Sequence, residues 1–197
     1  MELLRRLRLE TRDMVSIPLY TFVGLLLAEA VGEYAAMART RTLWRKHARE
    51  WTYYAVTIRF KAMIAASIVE HVSTRTQPSM PAVIAGSLLA AAGIIVRVCG
   101  HLQLNGAFSQ YVDKRPDQRL VQSGMYTKIR HPMYVGSILL FIGMPLVVGV
   151  TWAWIFSALA MAGILLRIRK EEAFLATELV GYREYMRNTW RLLPYVF

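Results

Sequence analysis

The sequence has almost no cysteine: Cys99 is the one thiol among 197 residues. That excludes a disulfide within the chain and any paired-thiolate metal site, and Cys99, set in an apolar run, reads as a small buried hydrophobe. Acidic residues are also scarce, 13 Asp plus Glu against 24 Lys plus Arg, which leaves a net charge of +11. No Gly-x-Gly-x-x-Gly follows a strand-like run, so a soluble Rossmann-type cofactor site is not indicated. Internal repeats and low-complexity tracts are missing too, and no metal site is expected.

Apolar side chains are abundant instead. At 55% hydrophobic, the chain exceeds the roughly 45–50% typical of soluble domains, which excludes disorder and makes an ordinary soluble fold doubtful. A basic, apolar chain could bind nucleic acid, bind acidic headgroups, or sit in a membrane oriented by its positive loops. The location of the charges decides among these.

Apolar runs near the length a helix needs to cross about 30 Å of hydrocarbon fall at Met14 to Met37, Trp51 to His71 and Pro81 to Gly100. Two more follow a polar stretch, Met133 to Val148 and Trp152 to Ile168, with so short a link between them that they must form an antiparallel hairpin. The fourth run is about 24 Å long at 1.5 Å per residue and contains Gly143 and Pro145, which could kink or shorten it. The fold class expected is thus an all-α integral membrane protein of about five transmembrane helices. Residues 1–101 would hold helices one to three, and residues 102–197 a second unit ending in a cytosolic helix capped at Gly181.

Threading these spans alternately puts fifteen Lys and Arg on one side, in the loops at 39–50 and 102–132 and in the C-terminal tail, against five on the other, namely Arg5, Arg6, Arg8, Arg12 and Arg75. The first side is therefore expected to face the cytoplasm; the basic N-terminus argues mildly against this unless it lies along the membrane as a short amphipathic helix. Pro18, Tyr20 and Glu29 argue against reading that N-terminus as a signal peptide. Pro194-Tyr195-Val196-Phe197 lacks the Cys of a prenylation motif. Without a basic face interleaved with aromatics on a soluble module, nucleic acid is not expected as a partner.

Charges within the spans are costly and usually face a bundle interior. Glu29 and Arg59 lie at similar distances from the first loop, which suggests a Glu29 pair with Arg59 or Lys61, either gluing two helices or walling a substrate cavity. Arg97, His101 and Asn105 recur at i, i+4, i+8 on one face of the third helix. With Arg59 they are candidates for substrate binding, although Arg97 could equally snorkel to the headgroups.

Leu120 to Tyr134 carries the densest chemistry. Pro132 reads as the first residue of the fourth helix, leaving the N–H groups of Met133 and Tyr134 open toward the polar loop before it, a natural seat for an anion. Arg130 adds a planar fork of donors, and His131 a group that donates, accepts or titrates. Beyond the fifth span, Glu171 and Glu172 point about 100° apart on the helix, so one can face Arg130 while the other is solvated. The hairpin brings both motifs to the same membrane face.

The ordered set is Leu-Val-x-x-Gly-x-Tyr from Leu120, Arg-His-Pro-x-Tyr-x-Gly from Arg130, Glu171-Glu172, Gly181-Tyr182-Arg183-Glu184-Tyr185 and Arg191-x-x-Pro194. It resembles the isoprenylcysteine carboxyl methyltransferase (ICMT) family, within a wider group of integral-membrane methyltransferases that includes phospholipid N-methyltransferases. The resemblance implies methyl transfer from S-adenosyl-L-methionine on the cytoplasmic side to a lipophilic or prenylated substrate entering from the lipid. It further implies that Leu120, Val121, Gly124, Tyr126, His131 and Tyr134 wrap the cofactor, that Glu171 or Glu172 binds its amino or ribose groups, and that Arg130 and Arg191 hold a carboxylate. The methyl acceptor stays open among a carboxylate, a phospholipid amine and a hydrophobic thiol. An NADPH-dependent sterol-type reductase and a non-enzymatic membrane protein are the readings from other classes.

Overall fold

The computed structural model describes residues 2–40, 51–104 and 120–194, with side chains from residue 17 in the first stretch and residue 56 in the second. These residues form six α-helices: α1 (Glu2–Arg39), α2 (Trp51–Thr74), α3 (Met80–Leu104), α4 (Pro132–Val148), α5 (Ala153–Glu178) and α6 (Tyr182–Asn188). A 3-10 turn at Gly124–Thr127 precedes α4. No strand occurs among the described residues beyond a parallel bridge between Ile129 and Trp190.

Local chemistry sets the ends of the hairpin. Pro132 opens α4, where its missing N–H costs nothing. Gly149 closes it in the left-handed region (φ 65°), its N–H donating to Pro145 O. Pro145 therefore lies in the last turn and does not shorten the helix. The first N–H groups at the start of α5 are capped from another helix: Glu70 of α2 accepts from Thr151 N at 2.7 Å and Trp152 N at 2.8 Å. Beside it the buried His71 contacts Thr76 Oγ1 at 2.9 Å and Val148 O at 3.1 Å, tying the same end of the bundle together.

α3 runs along α4, flanked by α1 on α3 and by α5 on α4, while α2 packs on α5. The α3–α4 seam is tight because glycines face each other across it. A Cβ on Gly93 would lie 2.6 Å from Gly136 O, and one on Gly143 2.6 Å from Gly86 O. Phe22, Met63, Leu140, Phe141, Met144, Val147, Ile164 and Ile168 fill the core. Outside, large apolar side chains point away from the bundle, including Tyr20, Leu27, Val31, Leu88, Ile95 and Trp152, each more than 60% exposed. An apolar surface repeated on helix after helix is that of a membrane protein.

Ile17–Arg39 and Met80–Leu104 are long and apolar enough to cross a membrane, with mean hydropathy 1.3 and 2.2; Pro132–Val148 is apolar but shorter. α2 carries Arg59, Lys61 and Glu70, and α5 ends in a charged run, which lowers their mean hydropathy. Three expectations change. α1 runs unbroken from Glu2 through Pro18 to Arg39, with no separate N-terminal surface helix. Gly181 does not cap α5, which ends at Glu178; it takes φ 83° at the start of α6. Glu29 does not meet Arg59 or Lys61, because α1 packs on α3 and there meets Arg97.

Candidate active site

The Arg130 loop, the polar end of α5 and the C-terminal segment converge on one carboxylate. Glu172, 3% exposed, accepts from Arg130 Nε at 2.7 Å on Oε1 and from Arg191 Nε at 2.8 Å on Oε2. His131 Nε2 lies 3.4 Å from Oε1. Burial by itself would raise the Glu172 pKa, but the hydrogen bonds and charges of His131 and Arg130 outweigh it and hold the carboxyl at about 2. Glu172 is thus an anion throughout the physiological range.

Arg130 is built into the scaffold as well. Its Nη1 donates to Met186 O at 2.9 Å and, closer still, to Thr189 O. Backbone bonds reinforce the join: Arg130 N to Trp190 O at 2.7 Å, Trp190 N to Lys128 O at 2.8 Å and His131 N to Arg191 O at 3.1 Å. The tail after α6 is thereby zipped onto the loop before α4.

Gly124 sits at φ 60°, which favours glycine, and a Cβ there would fall 2.5 Å from Gln103 Cδ and displace that side chain. Gln103 Oε1 accepts from Met125 N at 2.9 Å, fixing the 3-10 turn to the end of α3. The buried Tyr126 donates to Gly100 O at 3.4 Å, and its own carbonyl accepts from Tyr185 OH at 2.6 Å. Burial raises the Tyr126, Tyr182 and Tyr185 phenols, the last to about 12, so all three stay neutral donors. Leu120 lies over Gly181, its Cδ2 3.8 Å from where a Cβ would be. Val121 is half-buried nearby in sequence, and His131 and Tyr134 stack obliquely at 5.5 Å.

Glu171 is not the solvated partner expected beside Glu172. It is half-buried, and its Oε2 accepts from Tyr134 OH at 2.7 Å. The same hydroxyl accepts from Arg167 Nε at 2.7 Å. Arg167 is 5% exposed and is not among the site residues expected from the sequence. The pattern that could have revealed it is helical: Gly163, Ile164, Arg167, Ile168 and Glu172 all fall on the buried face of α5, and Glu171 is one turn after Arg167.

A second cluster lies between α1, α3 and α4. Arg97 Nε is 3.0 Å from Glu33 Oε1 and 3.8 Å from Glu29 Oε1, while its Nη1 donates to Ser137 Oγ at 2.5 Å. His101 Nδ1 is 3.6 Å from Glu33 Oε2. Arg97 and His101 are thus brought together with the acidic residues of α1 and the first turns of α4. Arg59 stands apart, on α2 against α5, and Asn105 lies outside the described residues.

The model of the isoprenylcysteine carboxyl methyltransferase (ICMT) family matches residues 85–177. Those residues, a little under half of the chain, are similar to this family. The match runs from α3 through the Arg130 loop and the hairpin to the Glu171–Glu172 pair. Its fold is similar to a solved structure described as a eukaryotic intramembrane Ras methyltransferase ICMT, with TM-score 0.63 at 20% identity, over 94% of this chain and 74% of that one. No curated protein matches the sequence.

The residues present suit the ICMT-type methyl donor. Glu171 Oε1 takes no hydrogen bond among the described residues, an acceptor open to an amino group or ribose hydroxyls, and aromatic side chains stand next to it. No group of His, Cys, Asp and Glu that could hold a metal occurs among the described residues.

Proposed function

We propose that this ICMT-family protein transfers the methyl group of S-adenosyl-L-methionine to the carboxylate of a lipophilic, prenylcysteine-like acceptor. In this reading five helices cross the membrane and the Glu172 end faces the cytoplasm. Helices of residues 1–101 line the acceptor's cavity, and residues 102–197 carry the cofactor site.

The observation that carries the choice of acceptor is the state of Glu172. Held at about 2 and bonded on both oxygens by arginines, it has no capacity to take up a proton at neutral pH. A protonated amine or a thiol must lose a proton before or during attack, whereas a carboxylate need not. Arg130, Arg191 and Arg167 against Glu171 and Glu172 leave this end net positive, which favours an anionic acceptor.

S-adenosyl-L-methionine, when bound, supplies a methyl carbon made electrophilic by its sulfonium. Glu171 would hold its amino or ribose groups, with Leu120, Val121, Gly124, Tyr126, His131 and Tyr134 around it. Arg191, whose side chain is 32% exposed, would hold the cofactor's own carboxylate at the rim. The carboxylate oxygen forms a bond to the methyl carbon as the carbon–sulfur bond breaks, and no proton moves. Orientation and exclusion of water therefore supply the acceleration, and the Glu172 clamp keeps the surrounding loops in place. The test is calorimetric binding of S-adenosylhomocysteine, followed by incubation with labelled methyl donor and separate prenylcysteine and phosphatidylethanolamine pools. No binding by folded protein sinks the methyl-donor reading; label in the phospholipid alone sinks the carboxylate acceptor.

A further inference from the structure

The charges at bilayer depth fall into two kinds. Arg97 is partnered by Glu33 and Glu29 between α1 and α3. Arg59 of α2 is half-buried and has neither a carboxylate nor a hydrogen-bond acceptor among the described residues. A cation taken out of water without a partner costs several kcal/mol, so this position is expensive for the fold by itself.

Its placement is also unlike that of a snorkelling side chain, which extends along its own helix toward the polar end. The Arg59 guanidinium lies sideways across α5 at Gly163: a Cβ built there would be 3.1 Å from Arg59 Nη1 and 3.5 Å from Val56 Cγ2. The glycine leaves the room that the guanidinium uses. Gly163 is one helical turn, about 6 Å, before Arg167, which bonds Tyr134 and through it Glu171. Val56 stands beside Arg59 at Gly163, and Phe60, Met63 and Ile64 of the same helix belong to or pack on the apolar core. A planar fork of donors beside apolar side chains, laid across the helix that carries Arg167 one turn on and Glu171 two turns on, suits an acceptor with a hydrocarbon chain and a carboxylate head.

We propose that Arg59 binds the carboxylate of the lipophilic methyl acceptor and so selects the free acid over the methylated product. The proposal rests on the function given above and adds to it a residue outside the family-matched stretch. Methylation removes the acceptor's charge, so the same contact that captures the acid no longer holds the ester, and product leaves.

The experiment uses the full chain in nanodiscs, N-acetyl S-farnesylcysteine as acceptor and its methyl ester as competitor. Wild type should bind the acid more tightly than the ester. Arg59→Gln should raise KM for the acid by about tenfold or more, leave the ester's inhibition constant unchanged and leave S-adenosylhomocysteine binding intact. Arg59→Lys should fall between the two. Gly163→Ala, which crowds the guanidinium, should raise the acid KM while keeping the charge. An unaltered acid-to-ester ratio in Arg59→Gln overturns the proposal. Should that variant not fold, unaltered ratios in both Arg59→Lys and Gly163→Ala do the same. Repeating the assay in zwitterionic and anionic lipid separates the sources of the anion: an effect seen only with anionic lipid means that Arg59 holds a lipid phosphate, which also overturns it. If wild type binds no S-adenosylhomocysteine the underlying function fails, whereas normal wild-type methylation with an indifferent Arg59 removes this inference alone.

Discussion

Glu171 and Glu172 are adjacent and chemically identical, yet their surroundings give them different work. Glu172 is buried with both oxygens committed to Arg130 and Arg191; Glu171 accepts from one phenol and keeps an oxygen open. Glu172→Gln should therefore destabilise the protein by about 3 kcal/mol, since removing one member of a buried ionic cluster leaves charge uncompensated, measured as thermal unfolding in detergent. Glu171→Gln should leave that unfolding nearly unchanged and weaken S-adenosylhomocysteine binding by about tenfold, the loss of one charged hydrogen bond. The pH dependence of the clamp has a defined sign. Glu172 titrates at about 2 instead of its ordinary 4.5, so its contribution, on the order of 3 kcal/mol, is complete above pH 4.5 and is lost as pH falls toward 2. Unfolding midpoints followed from pH 7 down to 2 should be flat first and then drop, and Glu172→Gln should abolish the drop. The Arg-His-Pro motif and the glutamate pair were visible in the chain, but which glutamate faces Arg130 was not. That choice depends on the rotation of α5 against α4, which is set by packing around Gly163, Ile164 and Ile168.

Helix limits follow local chemistry closely, and helix partners do not. Pro132 at the head of α4 was legible from position alone, and the short hairpin link fixed α4 and α5 as neighbours. The pairing of α1 with α3, by contrast, depends on side chains brought together from distant parts of the chain, which is why Glu29 was matched to Arg59 by depth and meets Arg97 instead. The α3–α4 seam offers a test at this scale. Gly93→Val puts a side chain against a backbone oxygen that cannot yield, 2.6 Å from the added Cβ, and should cost about 1–3 kcal/mol or more as overpacking. Gly24→Val, where no atom lies within 4 Å of an added Cβ, is the control and should be near neutral by the same unfolding assay. The cap on α5 is a milder case: Glu70→Ala removes two hydrogen bonds at the helix start and should cost about 1 kcal/mol.

For the whole molecule, charge and apolar surface give complementary information. The outward apolar side chains mark where lipid would lie, and the excess of Lys and Arg on the loops is what the proposed cytoplasmic orientation of the Glu172 end rests on. In a Cys99→Ala background, a cysteine at Asn188 should react with a membrane-impermeant maleimide in inside-out vesicles and be protected in right-side-out cells. A cysteine at Gln77 should behave oppositely, since the α2–α3 link lies at the far end of the bundle. Labelling of both positions from the same side would refute the five-span threading and with it the cytoplasmic active site.

The sequence alone determined the class of molecule. Scarce cysteine, long apolar runs and one-sided basic loops act through composition and spacing, and they leave little room for anything but a helical membrane protein with one polar, motif-bearing end. The order of the motifs was likewise enough to point to the family whose model residues 85–177 match. Tertiary structure alone decided which charges meet. Arg167 became part of the site by facing Tyr134, Arg130 became scaffold by bonding the tail after α6, and Arg59 came to lie across Gly163. Each depends on helix rotation and crossing, fixed by close contacts between residues far apart in the chain, and no local pattern encodes that geometry.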